Sequence, residues 1–350
     1  MRHPRLTSAS AAGHPPLVAV AHGSKDPRAA ATVSELLGVV AARAAEASGD
    51  VLDVRAAFLD HCAPSLPQAL SALGGDRDGG HARPPRAKAR AAVGGLRSDG
   101  AQRRSDEGAD SGLERAEASG KTLCVVVPLL LTAAYHSKSD IPAQLAAFDA
   151  AAAGAVAVRC GATLGPHPLL LTALERRLRE AGVAVDSAAD RARTAVVLAA
   201  AGSSDPAANA TIADLAARWR RDRGWRAVAA AYASASGPSP AEAVAALRAS
   251  SGGPVVVATY LLAPGYFADK IRAASAEAGA SAVSGVLGAA PEVADVVLAR
   301  YREAMRERSR ADTGYTGYAD RAVVTPRLVT CSIRGNSRGT DLPARAPRRA

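Results

Sequence analysis

The sequence predicts an α/β fold of two similar lobes, each a four-stranded parallel sheet flanked by helices. Two observations carry this expectation. Apolar runs of strand length alternate with helix-period stretches along most of the 350 residues, and continuous Val/Leu/Ala strands separated by helices belong to parallel sheets covered on both faces. The second half of the chain then repeats the first, motif by motif.

In the first half the strands are expected at Leu17–Ala21, Val51–Phe58, Leu123–Leu131 and Ala155–Cys160. Helices follow from about Pro27 to Ser48, from Pro64 to Leu73, from Ser139, and from Pro168 to Ala181. The second-half strands are Ala195–Ala200, Ala227–Tyr232, Pro254–Leu262 and Ser281–Val286, with helices beginning near Pro206, Pro240, Phe267 and Pro291. Proline in the first turn, after Asp26 or Asp205 as N-cap, marks helix starts.

Three ordered segment pairs establish the duplication. AHGSKDP at 21–27 corresponds to AAGSSDP at 200–206, LLTAAYH at 130–136 to LLAPGYF at 261–267, and LGPHP at 164–168 to LGAAP at 287–291. Ordered matches of this kind indicate repeated structural units. His22 to His136 spans 114 positions and Ala201 to Phe267 spans 66. Residues 74–120, rich in Gly, Arg, Asp and Ser, supply 47 of the 48 extra positions. Their composition predicts a disordered insertion, tolerated because loop-closure entropy grows slowly with length. The expected organisation is a disordered tail at 1–16, a first lobe at 17–182 carrying the 74–120 insertion, a second lobe at 190–306, and a basic disordered tail at 307–350.

Hydrophobic residues make up 48% of the chain and aromatics only 3%, so alanine does much of the core packing. The formal net charge of +10 invites a nucleic-acid reading, but its location argues against one. Residues 306–350 hold 10 basic and 4 acidic side chains, residues 74–121 hold 10 and 8, and residues 1–16 add Arg2 and Arg5. These segments account for the whole excess and leave the lobes neutral. Four cysteines without CxxC spacing, no signal-peptide pattern and no long unbroken apolar run predict a reduced, cytoplasmic protein with no membrane partner.

Ligands of open parallel sheets bind beyond the carboxyl ends of the strands. His22 directly follows the first strand, and His136 follows the third after a short loop, so both are expected on one edge of one lobe. Gly23 lets the chain turn after His22, and Ser24 can cap the next helix or bind an anion. Neutral imidazole ligates Fe²⁺, Co²⁺, Ni²⁺ or Zn²⁺. A lone histidine at a strand end is more often a hydrogen-bonding residue than a ligand. Here two share an edge, and the duplicate positions hold Ala201 and Phe267, so the scaffold does not require imidazole at either. His167, between two prolines, reads as a cap or packing residue, and His61 as a peripheral contact. Asp60 follows the second strand and can accept a proton or attract a cation; Asp26 reads as a cap, and Asp140, at a helix start, as a cap or a catalytic group. Ser24, Ser137, Lys25 and Lys138 can bind carboxylates of a polyanionic substrate. No GxGxxG, GxxxxGK[ST] or GxSxG motif is present, which disfavours nicotinamide enzymes, P-loop ATPases and α/β-hydrolases.

AHGSKDP after the first strand, FLDHCAPSLPQAL after the second, VVVPLLLTAAYHSKSDIP around the third and LGPHPLL before the last helix resemble the sirohydrochlorin chelatases of sirohaem and cobalamin biosynthesis. The resemblance spans residues 17–306 apart from the insertion. It implies the chelatase-like fold with an active cleft between the lobes. It also implies insertion of Fe²⁺ or Co²⁺ into sirohydrochlorin without a nucleotide, and no cofactor beyond the substrate metal. His22 and His136 match the motif histidines of that family. Ser24, Lys25, Asp60, Tyr135, Ser137, Lys138 and Tyr266 are the expected substrate contacts, with Arg28 near the cleft and Phe267 as a further packing surface. Ala134 stands where glycine is expected before Tyr135-His136. Nickel chemistry and a carrier that binds metal or tetrapyrrole without catalysis are the competing readings.

Overall fold

The computed structural model describes residues 14–75, 122–133, 139–151 and 156–306. The insertion and both tails lie almost wholly outside these residues.

The chain forms β1 (Leu17–Ala21), α1 (Pro27–Ser48), β2 (Val54–Phe58), α2 (Leu66–Gly75), β3 (Thr122–Pro128), α3 (Ile141–Ala151), β4 (Val156–Cys160) and α4 (Pro168–Glu180). A short α5 (Ala188–Arg193) leads into β5 (Ala195–Ala200), α6 (Pro206–Arg223), β6 (Ala227–Tyr232), α7 (Pro240–Ser251), β7 (Val255–Tyr260), α8 (Tyr266–Glu277), β8 (Ala282–Val283) and α9 (Pro291–Arg306). The strands pair in parallel as β2-β1-β3-β4 and β6-β5-β7-β8. This is the predicted architecture, and every residue of β1 and β5 is buried. Strand order reverses between β1 and β3, so the carboxyl ends of those two strands flank the natural ligand crevice.

The helix starts follow the expected chemistry. Asp26 and Asp205 each cap a helix by accepting a backbone N–H two residues on, both at 2.9 Å, ahead of a proline at the first helical position.

Several boundaries differ from the sequence expectation. β2 begins at Val54, and Val51, expected in the strand, is 86% exposed. β3 ends at Pro128, which donates no ladder hydrogen bond; Leu129 N still donates to Val20 O of β1 at 2.7 Å before the chain leaves the sheet. β8 shrinks to two residues: Ser284 N still donates to Val257 O of β7 at 2.8 Å, and side-chain bonds then take over from the ladder. Ser284 Oγ accepts from Thr259 N at 2.9 Å, and Thr259 Oγ1 donates to Ser284 O at 2.9 Å. The six-residue α5, capped by Ser187, falls in a stretch too short for a periodic signal.

The last helix of each half packs on the other half's sheet. Helix α9 lies against α1, α4, β3 and β4, while α4 lies against β7. Arg300 of α9 donates to Thr163 O at 2.8 Å, and the fully buried Tyr260 donates from its hydroxyl to Leu131 O at 3.3 Å. One continuous apolar core therefore runs through both lobes, from Leu36 and Leu174 to Trp219 and Val297.

Candidate active site

The site grows out of the turn after β1. Gly23 adopts φ +91°, and a Cβ there would lie 1.8 Å from the Asp60 carbonyl oxygen. Only glycine fits this turn without displacing the neighbouring backbone. The close approach lets Asp60 N donate to His22 O at 2.9 Å. The second lobe repeats each feature: Gly202 has φ +86°, its Cβ would lie 2.0 Å from Ser234 O, and Ser234 N donates to Ala201 O at 2.9 Å. Ser24 and Ser203 each accept the N–H of a capping aspartate at 3.1 Å. The two lobes thus share one backbone device and differ in the side chains mounted on it.

His22 is exposed at the sheet edge and borders two adjoining cavities between the lobes. The first, about 420 Å³, is also lined by Ser24, Lys25, His61 and Tyr266. The second, about 530 Å³, is lined by Ala201, Ser203, Ser204, Asn209 and Tyr260. Phe267 and leucines 129, 130, 261 and 262 border both. The leucines and Phe267 make much of the lining apolar, with polar side chains among it, which suits a large, flat ligand with a charged rim.

Four predicted site residues, Tyr135, His136, Ser137 and Lys138, lie outside the described residues. Of the others, His22, Ser24, Lys25 and Tyr266 share the first cavity. Asp60 adjoins it through His61: its Oδ1 accepts from His61 N at 2.8 Å, and its Oδ2 lies 3.3 Å from His61 Nε2. Tyr266 is 74% exposed and packs edge-on against Phe267, with ring centroids 5.5 Å apart. Among the described residues, no group of three or more His, Cys, Asp or Glu side chains is arranged to hold a metal ion.

One expectation is revised. Arg28 is not a spare cation for substrate: its guanidinium lies 2.6 Å from Asp26 and 2.7 Å from Asp269 of α8, which ties the two lobes together. The hydrogen bond from Arg28 holds the Asp26 carboxyl below the usual carboxylate range. His61, expected as a peripheral contact, is in the lining of the cavity that His22 borders. His167 is the cap expected of it: Nδ1 accepts Leu169 N at 3.2 Å. Burial, aided by the Arg300 charge, lowers its pKa and so favours the neutral ring that this bond requires. Phe267, expected as a packing surface and aligned with His136, borders both cavities.

Comparison with known proteins gives a consistent family. A family model described as CbiX matches residues 16–77, 104–181 and 195–304. Sirohydrochlorin ferrochelatase of Bacillus subtilis (strain 168) is 28% identical over 198 residues, 55% of this chain and 73% of that protein. The structure of SirB from Bacillus subtilis with Fe³⁺ superposes with a TM-score of 0.57 at 22% identity, covering 83% of this chain and 94% of that one. SirB from the subspecies spizizenii in complex with cobalt gives 0.53 at 19% identity over 83% and 94%. At these identities the two structures attest the fold.

Proposed function

The chain belongs to the CbiX family, and from this premise we propose that it inserts Fe²⁺ or Co²⁺ into sirohydrochlorin, with His22 and His136 handling the metal. The observation that carries the reading is the position of His22. It stands beyond the carboxyl end of β1, on the border between two adjoining cavities. A tetrapyrrole spanning both cavities would set its centre over that imidazole and its faces against Phe267 and the leucine walls. His136 aligns with Phe267, which supports pairing it with His22.

The chemistry follows from the substrate. Two pyrrole N–H protons must leave as the metal enters, and a neutral imidazole can hold the metal on one face of the ring, accept a proton, or do both in sequence. Sirohydrochlorin carries eight carboxylates. Lys25, in the lining of the first cavity, is suited to attract them, and Ser203 and Ser204 add hydroxyls to the lining of the second. The two lobes are unequal in this reading: the first handles the metal and the second shapes the ring pocket. The known structures of SirB with iron and with cobalt support either ion as substrate. A cytoplasmic location goes with the reading. No described helix is long and apolar enough to cross a membrane.

The test is an anaerobic assay of purified protein with sirohydrochlorin and Fe²⁺ or Co²⁺, followed by the absorbance change of the macrocycle. Catalysed insertion above the uncatalysed rate is expected. Binding of sirohydrochlorin without acceleration would make the protein a carrier instead.

A further inference from the structure

Metal insertion leaves a product with a coordination position on each face of the ring, and that product must depart before a second turnover. Resting on the chelatase reading, we infer that Phe267 keeps the ring face opposite His22 free of any metal ligand and so lets the metallated ring go.

The boundary between the two cavities carries the inference. The described residues that border both are His22, Phe267 and leucines 129, 130, 261 and 262. Of these side chains, the His22 imidazole alone is of a kind that ligates metal. A ring spanning both cavities has its centre at this boundary. Among the described residues, its metal therefore meets one donor and otherwise hydrocarbon. His22 comes from the turn after β1, in the first lobe. Phe267 comes from the first turn of α8, in the second, and the cavities lie between them.

Two contacts hold the start of α8. The Phe267 ring packs edge-on against Tyr266, with centroids 5.5 Å apart and planes at 64°. Asp269, one turn into the helix, accepts from Arg28 at 2.7 Å, which ties α8 to the start of α1, the helix that follows His22. The duplication supplies a control. LLTAAYH at 130–136 aligns with LLAPGYF at 261–267, and the last position changes from histidine to phenylalanine. The second lobe keeps the tyrosine and gives up the donor. Phenylalanine there packs against the ring and offers its metal no lone pair.

The ring nitrogens fill the equatorial positions of Fe²⁺ and leave one axial position on each face. With Phe267→His, a second imidazole lone pair forms a dative bond on the open face. The iron stays ferrous and no proton moves. Two tethered ligands on one metal release it far more slowly than one, because either can rebind before the other lets go.

The experiment uses the full chain under anaerobic conditions, as wild type, Phe267→His and Phe267→Leu. Turnover with sirohydrochlorin and Fe²⁺ is followed by rapid mixing. In a second measurement each protein is loaded with the iron-containing ring, prepared chemically, and its release is timed. Phe267→His is expected to complete about one turnover per chain in a burst and then to run at least about 10²-fold slower than wild type. Release of the loaded ring should slow to match, with the sharp absorption bands of six-coordinate, low-spin iron. Phe267→Leu loses ring packing and raises KM, yet shows neither a burst nor slowed release. Wild-type release from Phe267→His, or slow release without the six-coordinate spectrum, would overturn the inference. So would equal slowing in Phe267→Leu, which would trace retention to shape. Wild-type protein that inserts no metal above the uncatalysed rate would overturn the chelatase reading, and this inference with it.

Discussion

Gly23 and Asp60 pack backbone against backbone, with room for no atom between the Gly23 Cα and the Asp60 carbonyl oxygen. This contact fixes the turn that carries His22, and Gly202 repeats it against Ser234. Gly23→Ala and Gly202→Ala are both expected to destabilise the protein. Holding alanine in the left-handed conformation costs about 1–3 kcal/mol before the collision is counted. The activities should diverge. Per folded molecule, Gly23→Ala loses most of its turnover because His22 is displaced, while Gly202→Ala keeps most of it. Thermal melts together with initial rates give both quantities, and equal inactivity in the two variants would remove the asymmetry between the lobes.

The exchange of α4 and α9 between the sheets predicts that the lobes unfold as one unit. Leu174, fully buried on α4, belongs to the first half of the chain, yet α4 packs on β7 and Glu175 accepts from Trp219 Nε1 at 2.9 Å. Leu174→Ala should cost about 2–5 kcal/mol. Both tryptophans lie in the second half, so their fluorescence transition should shift together with the far-ultraviolet circular dichroism. Separate transitions for the two probes would show that the halves fold independently.

Acid should weaken the same interface. Burial pushes the Glu292 carboxyl up, but its paired bonds to Arg176, at 2.7 and 3.0 Å, outweigh this and hold it below its ordinary value. A carboxylate with a depressed folded pKa adds stability above its unfolded pKa, and that stability is lost as pH falls through the folded value. Glu292→Gln should therefore be less stable than wild type near neutral pH, and the gap should close below about pH 4.5, the ordinary glutamate value. Urea unfolding of both proteins at neutral and acid pH tests this; a gap that stays constant with pH would rule it out.

The alternation of buried strands with capped helices made the architecture legible, because both signals are local: Val/Leu/Ala runs such as Leu17–Ala21, and Asp-Pro pairs at 26–27 and 205–206. The position of His22 was legible for the same reason, since a strand end is a local feature. The exchange of α4 and α9 was not, because an amphipathic helix declares that it has a partner and not which sheet supplies it. Arg28 looked like a spare cation for the same reason: Asp269 lies 241 residues away along the chain.

The internal duplication also predicts what His22 contributes. Ala201 occupies the same place in the second lobe, with the same backbone bond to the neighbouring loop, so this turn folds without imidazole. His22→Ala should leave stability within about 0.5 kcal/mol of wild type, yet lower turnover by at least about 10²-fold. His136→Ala, at the position that Phe267 duplicates, is expected to lose turnover likewise. The reverse substitution, Ala201→His, should not create a second metal centre, because Phe267 stands where that centre would need its other histidine. Cobalt titration of the three variants, with melts as a control for folding, distinguishes these outcomes. Near-normal turnover in His22→Ala, or a second tight cobalt site in Ala201→His, would show that the imidazole after β1 is not what sets the two lobes apart.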